Sequence, residues 1–103
     1  MTVQQAAIEL AVQQIGFKSV YDFAAQKLRD SLLEEIKVSL DAIDVFERKY
    51  GMNYEQFKNQ FFSLKTFDLF EREDDSMDWS AEIAQLRILE KRLAQLLPSN
   101  AAS

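Results

Sequence analysis

The chain has 103 residues, and its 12 basic and 17 acidic side chains leave a net charge of −5 at neutral pH. Because 48% of the residues are hydrophobic, the chain can bury the modest core of one small domain. The negative charge repels polyphosphate over most of the surface, which disfavours generic nucleic-acid binding and favours a basic partner.

Cysteine and histidine are both absent. Without thiols the chain forms no disulfide and no thiolate site, and without imidazole it has no ordinary zinc site and no serine-histidine triad. Only carboxylate chemistry remains. The adjacent Glu34 and Glu35 would point about 100° apart on a helix, so they cannot act together on one bond. We therefore expect no enzymatic activity and no cofactor.

The first residues of the chain are too polar for a secretory signal, since Gln4, Gln5 and Glu9 interrupt the apolar run. No other stretch approaches the roughly 18 apolar residues that a membrane span needs. We expect a cytoplasmic protein that does not enter a membrane.

Apolar side chains recur every three or four residues along most of the sequence, and no segment alternates in the manner of a β-strand. An all-α fold is therefore predicted. Gly16, Gly51 and Pro98 are the strong helix breakers, and they divide the chain into its predicted helices.

The first predicted helix covers residues 3–15. Thr2 and Gln5 have the spacing of a capping box, in which each side chain accepts a hydrogen bond from the backbone amide of the other residue. Gly16 follows as a left-handed cap, because glycine adopts a positive φ without steric cost.

The second predicted helix runs unbroken over residues 20–50. Ser19 is placed to cap its first amides, and Asp22 complements the positive end of the helix dipole. An apolar stripe follows one face of this helix. Its members are Tyr21, Ala25, Leu28, Leu32, Ile36, Leu40, Ile43, Phe46 and Tyr50.

The length of the second helix predicts a homodimer. It would extend about 46 Å, whereas a compact chain of this size fits a sphere about 33 Å across. The apolar stripe therefore needs more cover than the rest of one chain can supply, and a second copy is the simplest source. The expected dimer contacts are Leu28, Leu32, Ile36, Leu40, Ile43 and Phe46.

A third helix is predicted after Gly51, because Asn53 and Gln56 repeat the capping-box spacing. Its aromatic residues favour a plug for one end of a helical bundle, although a cofactor pocket is an alternative use of such a cluster. The predicted inward-facing residues are Tyr54, Phe57, Phe61 and Leu64.

Residues 65–75 have no clean period and are predicted to be a connection. A last helix is predicted over residues 77–97, before Pro98, with a disordered tail at 98–103. The expected architecture is an all-α helical hairpin with one long central helix and two shorter helices, paired into a dimeric bundle. Residues 1–97 would form a single domain, in which 1–51 dimerise and 53–97 hold the C-terminal helices.

The stretch FEREDDSMDW, residues 70–79, is strongly acidic and has three interpretations. The favoured one is a helix start, where Asp75, Ser76 and Asp78 satisfy orphan amides. A second is a divalent-cation site on one helix face, because the spacing would align Glu71, Asp74, Asp75, Asp78 and Glu82. The third is a surface that steers and anchors a basic protein. Its expected contacts are Phe70, Glu71, Asp74, Asp75, Asp78 and Trp79.

The segment GFKSVYDFAAQKL, residues 16–28, resembles the turn and second-helix start of ribbon-helix-helix proteins. The matching residues are Gly16, Phe17, Ser19, Asp22, Phe23 and Leu28. This resemblance implies a DNA-binding regulator in which the amides near Ser19 and Val20 hold a phosphate, with Lys18 assisting.

The segment FERKYGMNYEQFKNQF, beginning at Phe46, looks like part of the small helical antitoxin-like proteins that accompany a toxin. That resemblance implies a dimerising N-terminal part and a C-terminal part, residues 53–97, that wraps a small basic toxin. We therefore expect a homodimeric protein-interaction module. The alternatives are the ribbon-helix-helix-like regulator, a structural helical protein, and a carboxylate-only enzyme or metal protein.

Overall fold

The structure is a computed structural model that describes residues 1–96. The predicted tail at 98–103 lies outside the described residues, as does position 97 of the predicted last helix. Within the described part every regular element is helical, so the all-α prediction is confirmed. The elements are α1 Val3–Gln14, α2 Val20–Tyr50, α3 Tyr54–Gln60, a 3₁₀ turn Phe61–Ser63 and α4 Leu69–Leu96.

The predicted helix caps are formed. The Thr2 hydroxyl accepts a hydrogen bond of 3.0 Å from the Gln5 amide, and the Gln5 side chain accepts one of 2.7 Å from the Thr2 amide. Ser19 caps α2 by accepting a hydrogen bond of 3.1 Å from the amide of Asp22. Asn53 begins α3 with a second complete capping box. Each cap needs only residues close in sequence, which is why local spacing predicts it.

Gly51 ends α2 in the left-handed conformation, with φ at +69°, and its amide donates to the carbonyl of Glu47 at 2.7 Å. A residue with a Cβ would strain this backbone. The reversal directs the chain into α3 and lets α4 return along α2.

Helices α2 and α4 run antiparallel along most of their lengths. Near one end Arg29 Nη1 donates to the carbonyl of Leu96 at 3.2 Å, and near the other Lys49 Nζ lies 3.0 Å from Glu71. Buried and half-buried residues recur at alternating intervals of three and four on both helices, the seam expected for coiled-coil-like packing. They include Leu32, Ile36, Ser39, Ile43, Phe46 and Tyr50 on α2, and Trp79, Leu86, Leu89, Leu93 and Leu96 on α4.

The start of α4 differs from the sequence prediction. The helix begins at Leu69 rather than at 77, and the side chain of Asp68 accepts a hydrogen bond of 3.1 Å from the amide of Phe70. The apolar period is hidden in these first turns because inward positions are held by polar side chains. Arg72 is buried there, and Asp75 is half-buried.

Four of the six predicted dimer contacts face α4 of the same chain. Half-buried Leu32, Ile36, Ile43 and Phe46 lie on the side of α2 along which α4 runs. The 28 residues of α4 extend about 42 Å, enough to accompany most of α2. The chain thus supplies for these four residues the cover that the sequence assigned to a second copy. The other two members of the stripe stay exposed, Leu28 at 54% and Leu40 at 49%.

The densest packing joins the C-terminal end of α2 to α3 and α4. Tyr50, Phe57 and Trp79 form the buried cluster, and Phe57 and Trp79 are wholly inaccessible to solvent. These residues close one end of the helix pair, as the aromatic content of the third predicted helix indicates. Half-buried side chains complete the cluster, namely Ile43, Phe46, Met52, Tyr54, Phe61, Leu64, Phe67 and Ile83.

The molecule is long and thin, with principal extents of 66 × 32 × 19 Å and a radius of gyration of 20.9 Å. A compact chain of this length would have a radius of gyration of about 13 Å. Among residues 1–96, no helix combines the length and apolar character needed to cross a bilayer.

Candidate protein-interaction surface

Lys49 and Tyr50, at the end of α2, hold two carboxylates of α4. Lys49 Nζ lies 2.6 Å from Asp75 and 3.0 Å from Glu71. The Tyr50 hydroxyl donates a hydrogen bond of 2.6 Å to the same oxygen of Asp75. Asp75, with a side chain only 17% exposed, is therefore neutralised inside the molecule and is a structural residue.

The contacts of this cluster shift two pKa values in the same direction. Burial raises the pKa of the Tyr50 phenol well above its ordinary value of 10.0, and the hydrogen bond to Asp75 raises it further. The hydrogen bond to Asp75 raises the pKa of Lys49 above 10.5, with a smaller contribution from Glu71. Both groups therefore keep their protons throughout the neutral range.

Arg72 fastens the 3₁₀ turn to α4. Its guanidinium donates to the carbonyl of Phe61 and lies 5.3 Å from the centre of the Phe61 ring. Since Arg72 is only 7% exposed, its guanidinium is out of reach of a partner. The charged side chains near it that face solvent on α4 are carboxylates.

Trp79, one of the predicted partner contacts, is not on the surface. It is fully buried, stacked with Phe46 at 5.6 Å and packed edge-on against Tyr54 at 5.2 Å between ring centres. The reason is its place in the inward-facing seam of α4, in line with Arg72 one heptad before it and Leu86 one heptad after it. The expectation that Trp79 anchors a partner is therefore corrected.

Asp75, a second predicted partner contact, is half-buried on Lys49 and Tyr50, and the remaining predicted contacts share one exposed end of the molecule. Phe70 is 72% exposed, and Glu71, Asp74 and Asp78 are exposed as well. Sequence reasoning missed Met77, 66% exposed, which lies seven residues after Phe70 and so shares its helix face. We call this region the acidic end. It comprises Phe62, Phe70, Glu71, Glu73, Asp74, Met77 and Asp78.

The helix-start interpretation of the acidic stretch is wrong. Asp75, Ser76 and Asp78 lie in the second and third turns of α4, and Asp68 caps the first turn instead. The divalent-cation interpretation also finds no geometry in its favour. Within residues 1–96, no three carboxylates come close enough to share one cation.

Of the amides proposed to hold a DNA phosphate, that of Val20 already has a partner. The Ser19 hydroxyl accepts from the Asp22 amide, and the Val20 amide donates to the carboxylate of Glu9 at 3.4 Å. Glu9 stands where a phosphate would have to approach, and its charge would repel one. Lys18 is exposed beside them.

A cleft of about 410 Å³ lies beside Trp79, between α2, α3 and α4. Ile43 and Ile83 give it an apolar floor, while Glu47 and Arg87 place opposite charges on its rim. Such a cleft offers contact area to a side chain of a partner.

Fold and surface together define a class, an elongated all-α protein whose acidic end adjoins its aromatic core. Comparison with protein-family models, with curated proteins and with solved structures finds no match to this chain.

Proposed function

We propose that this chain is a non-enzymatic, homodimeric protein-interaction module whose acidic end binds a basic protein partner. One observation carries the proposal, namely the concentration of acidic charge and exposed apolar side chains at one end of the molecule. Between residues 68 and 82 the single base is the buried Arg72. The acids of that segment are Asp68, Glu71, Glu73, Asp74, Asp75, Asp78 and Glu82.

The charge of the acidic end is only partly neutralised within the chain. Lys49 pairs with Glu71 and Asp75, whereas Glu73, Asp74 and Asp78 make no ion pair among the described residues. Uncompensated carboxylates steer a cationic protein toward the surface and select against acidic ones. Exposed aromatic and methionine side chains then supply the apolar contact that holds a partner in place.

Phe62, Phe70 and Met77 supply this contact, with exposures of 81%, 72% and 66%. Phe62 lies against Phe61, 5.1 Å between ring centres, and Arg72 fixes Phe61 to α4. The apolar side chains therefore stand on ordered elements, which lowers the entropy lost on binding.

The elongated shape supports the homodimeric part of the proposal. Two copies of the helical hairpin would form a dimeric bundle through the part of residues 1–51 that α4 leaves exposed, and residues 53–97 would remain available for the partner. The resemblance to antitoxin-like proteins makes a small basic toxin the most concrete partner, and the cytoplasm is the proposed location.

The test is co-purification with the products of adjoining genes, using one charge-reversal variant and one matched control. We expect Glu73→Lys, Asp74→Lys and Asp78→Lys together to abolish retention of a basic partner. The control, Glu34→Lys, Glu35→Lys and Asp41→Lys, makes the same charge change at exposed positions of α2. It should retain the partner. Equal retention by both variants, or equal loss, would show that the acidic end is not the binding surface.

A further inference from the structure

The N-terminal part of the molecule lies beyond the helix pair. Arg29 meets the carbonyl of Leu96, so α1 and the first turns of α2 precede the region where α4 accompanies α2. Within residues 1–96, α1 makes few contacts with the rest of the chain, and Val12 is its one buried residue. Phe17 and Phe23 pack edge-to-face at 5.1 Å and fix the turn between the two helices.

Large apolar side chains remain uncovered on this part. Tyr21 is 80% exposed, Ile15 66% and Leu10 56%. Val3 and Leu10 share one side of α1, whereas Ile8 and Ile15, also seven residues apart, lie toward another. Apolar side chains that stay exposed on several sides of one segment mark a segment that another molecule covers. We call this region the N-terminal surface. It comprises Val3, Ile8, Leu10, Ile15, Tyr21 and Leu28.

The balance of charged residues in the N-terminal part allows a second copy of the chain to cover the N-terminal surface. Residues 1–31 carry three bases, Lys18, Lys27 and Arg29, and three acids, Glu9, Asp22 and Asp30. Two identical copies can therefore meet here without net repulsion. Two acidic ends could not meet in the same way, because each would present uncompensated carboxylates to the other.

The surface area of the chain is large enough for such a contact. One copy exposes 7,882 Å², whereas a compact monomer of 11.9 kDa exposes roughly 6,000 Å². The surplus is spread over the whole elongated chain, and a standard stable interface needs roughly 800 Å² from each partner.

We propose that the N-terminal surface is the contact between two copies of this chain, related by a twofold axis. This inference rests on the homodimeric part of the proposed function and names the surface that it uses. A twofold contact buries the same side chains on both copies. It also places the acidic ends away from the axis, where each is open to a basic partner.

The first experiment measures molar mass by light scattering and the dimer dissociation constant by sedimentation. Leu10→Glu with Leu28→Glu should raise that constant about tenfold or more, since charges would be buried in an apolar contact. The matched control, Val38→Glu with Val45→Glu, alters α2 residues that are 64% and 63% exposed outside the N-terminal surface. It should leave the constant unchanged. Circular dichroism verifies that both variants stay helical.

The second experiment uses the absence of native cysteine. Single cysteines introduced as Leu10→Cys, Tyr21→Cys and Leu28→Cys are treated with a short bismaleimide. At least one should give a covalent dimer, while Met77→Cys in the acidic end should stay monomeric on a denaturing gel.

Three results would overturn the inference. One is a monomeric mass for the unaltered protein, and another is cross-linking through Met77→Cys alone. The third is that Val38→Glu with Val45→Glu dissociates the dimer, whereas Leu10→Glu with Leu28→Glu does not. Binding of a basic partner by the acidic end is measured separately by co-purification, so the two proposals can fail independently.

Discussion

The hydroxyl of Tyr50 donates a hydrogen bond of 2.6 Å to the carboxylate of Asp75, joining the last residue of α2 to the second turn of α4. Lys49 approaches the same carboxylate oxygen at 2.6 Å. The ring of Tyr50 is buried against Phe57, 4.6 Å between ring centres. One residue thus belongs to both the ionic cluster and the aromatic core, so a change at Tyr50 tests their coupling.

Replacement of Tyr50 by phenylalanine should lower the free energy of unfolding by about 1 kcal/mol. The ring packing stays, but a hydrogen bond to a charged acceptor is lost, and Lys49 still compensates Asp75. Urea unfolding followed by circular dichroism measures the change. The control is Thr66→Val, because Thr66 is exposed outside both proposed surfaces and loss of its hydroxyl should shift stability by no more than about 0.5 kcal/mol. Equal effects of the two substitutions would contradict the role assigned to the Tyr50 hydroxyl.

Stability should fall at alkaline pH. The pKa values of Tyr50 and Lys49 are raised on folding, so their contribution is complete below the ordinary values of 10.0 and 10.5. It is lost as the pH rises above those values toward the folded pKa values, because the unfolded chain then releases protons that the folded chain retains. Urea unfolding at about pH 8 and about pH 11 measures this decline, which should be shallower in Tyr50→Phe. An equally steep decline in that variant would mean that Tyr50 is not its source.

Lys49→Met should destabilise the protein by about 1 kcal/mol, because Glu71 and Asp75 would then repel one another without a counter-charge. Arg48→Met is the matched control. Arg48 pairs with Asp44 through a side chain that is 82% exposed, and such pairs contribute about 0.3 to 0.5 kcal/mol. Thermal unfolding is measured at about 0.05 M and about 1 M salt. Because salt screens the attraction between Lys49 and its carboxylates, it should lower the stability of the unaltered protein more than that of Lys49→Met. The same salt effect in both would contradict the role of Lys49.

Features fixed by neighbouring residues were predictable from the sequence. Thr2 with Gln5, Ser19 with Asp22, and Gly51 each act within one helical turn, so spacing alone indicates the caps and the bounds of α2. One of the three interpretations of residues 70–79 also expects Phe70 and the carboxylates that follow it on an exposed, acidic surface, although the favoured one was a helix start. Charge and aromatic content in one short segment suffice for that prediction.

The start of α4 and the position of Trp79 depended on distant partners instead. Arg72 can face inward because the carbonyl of Phe61 receives its guanidinium, and Asp75 because Lys49 and Tyr50 lie across from it. Hydrophobic periodicity assigns polar side chains to the outward face of a helix, so the predicted last helix began at 77 rather than at 69. A shorter α4 left the α2 stripe without cover in the prediction and placed Trp79 at a helix start.

Gly51→Ala should lower the free energy of unfolding by about 1 to 2 kcal/mol, because φ at +69° is unfavourable for a residue with a Cβ. The loss comes from backbone strain alone, since an added Cβ at this position meets no atom within 4 Å. Gly51→Asn should cost less, because asparagine tolerates the left-handed region. Urea unfolding of both variants gives the comparison. A loss as large for asparagine as for alanine would point to a cause other than the backbone conformation.

Trp79→Ala and Phe70→Ala distinguish a core aromatic residue from a surface one. Trp79 is fully buried among Phe46, Tyr50 and Phe57, so its truncation should cost about 3 to 5 kcal/mol in unfolding free energy. Phe70 is 72% exposed, and its loss should change stability by no more than about 0.5 kcal/mol while weakening retention of a basic partner. Urea unfolding supplies the first quantity and co-purification the second. A strongly destabilised Phe70→Ala would mean that this side chain packs within the fold, and the acidic end would lose its aromatic anchor.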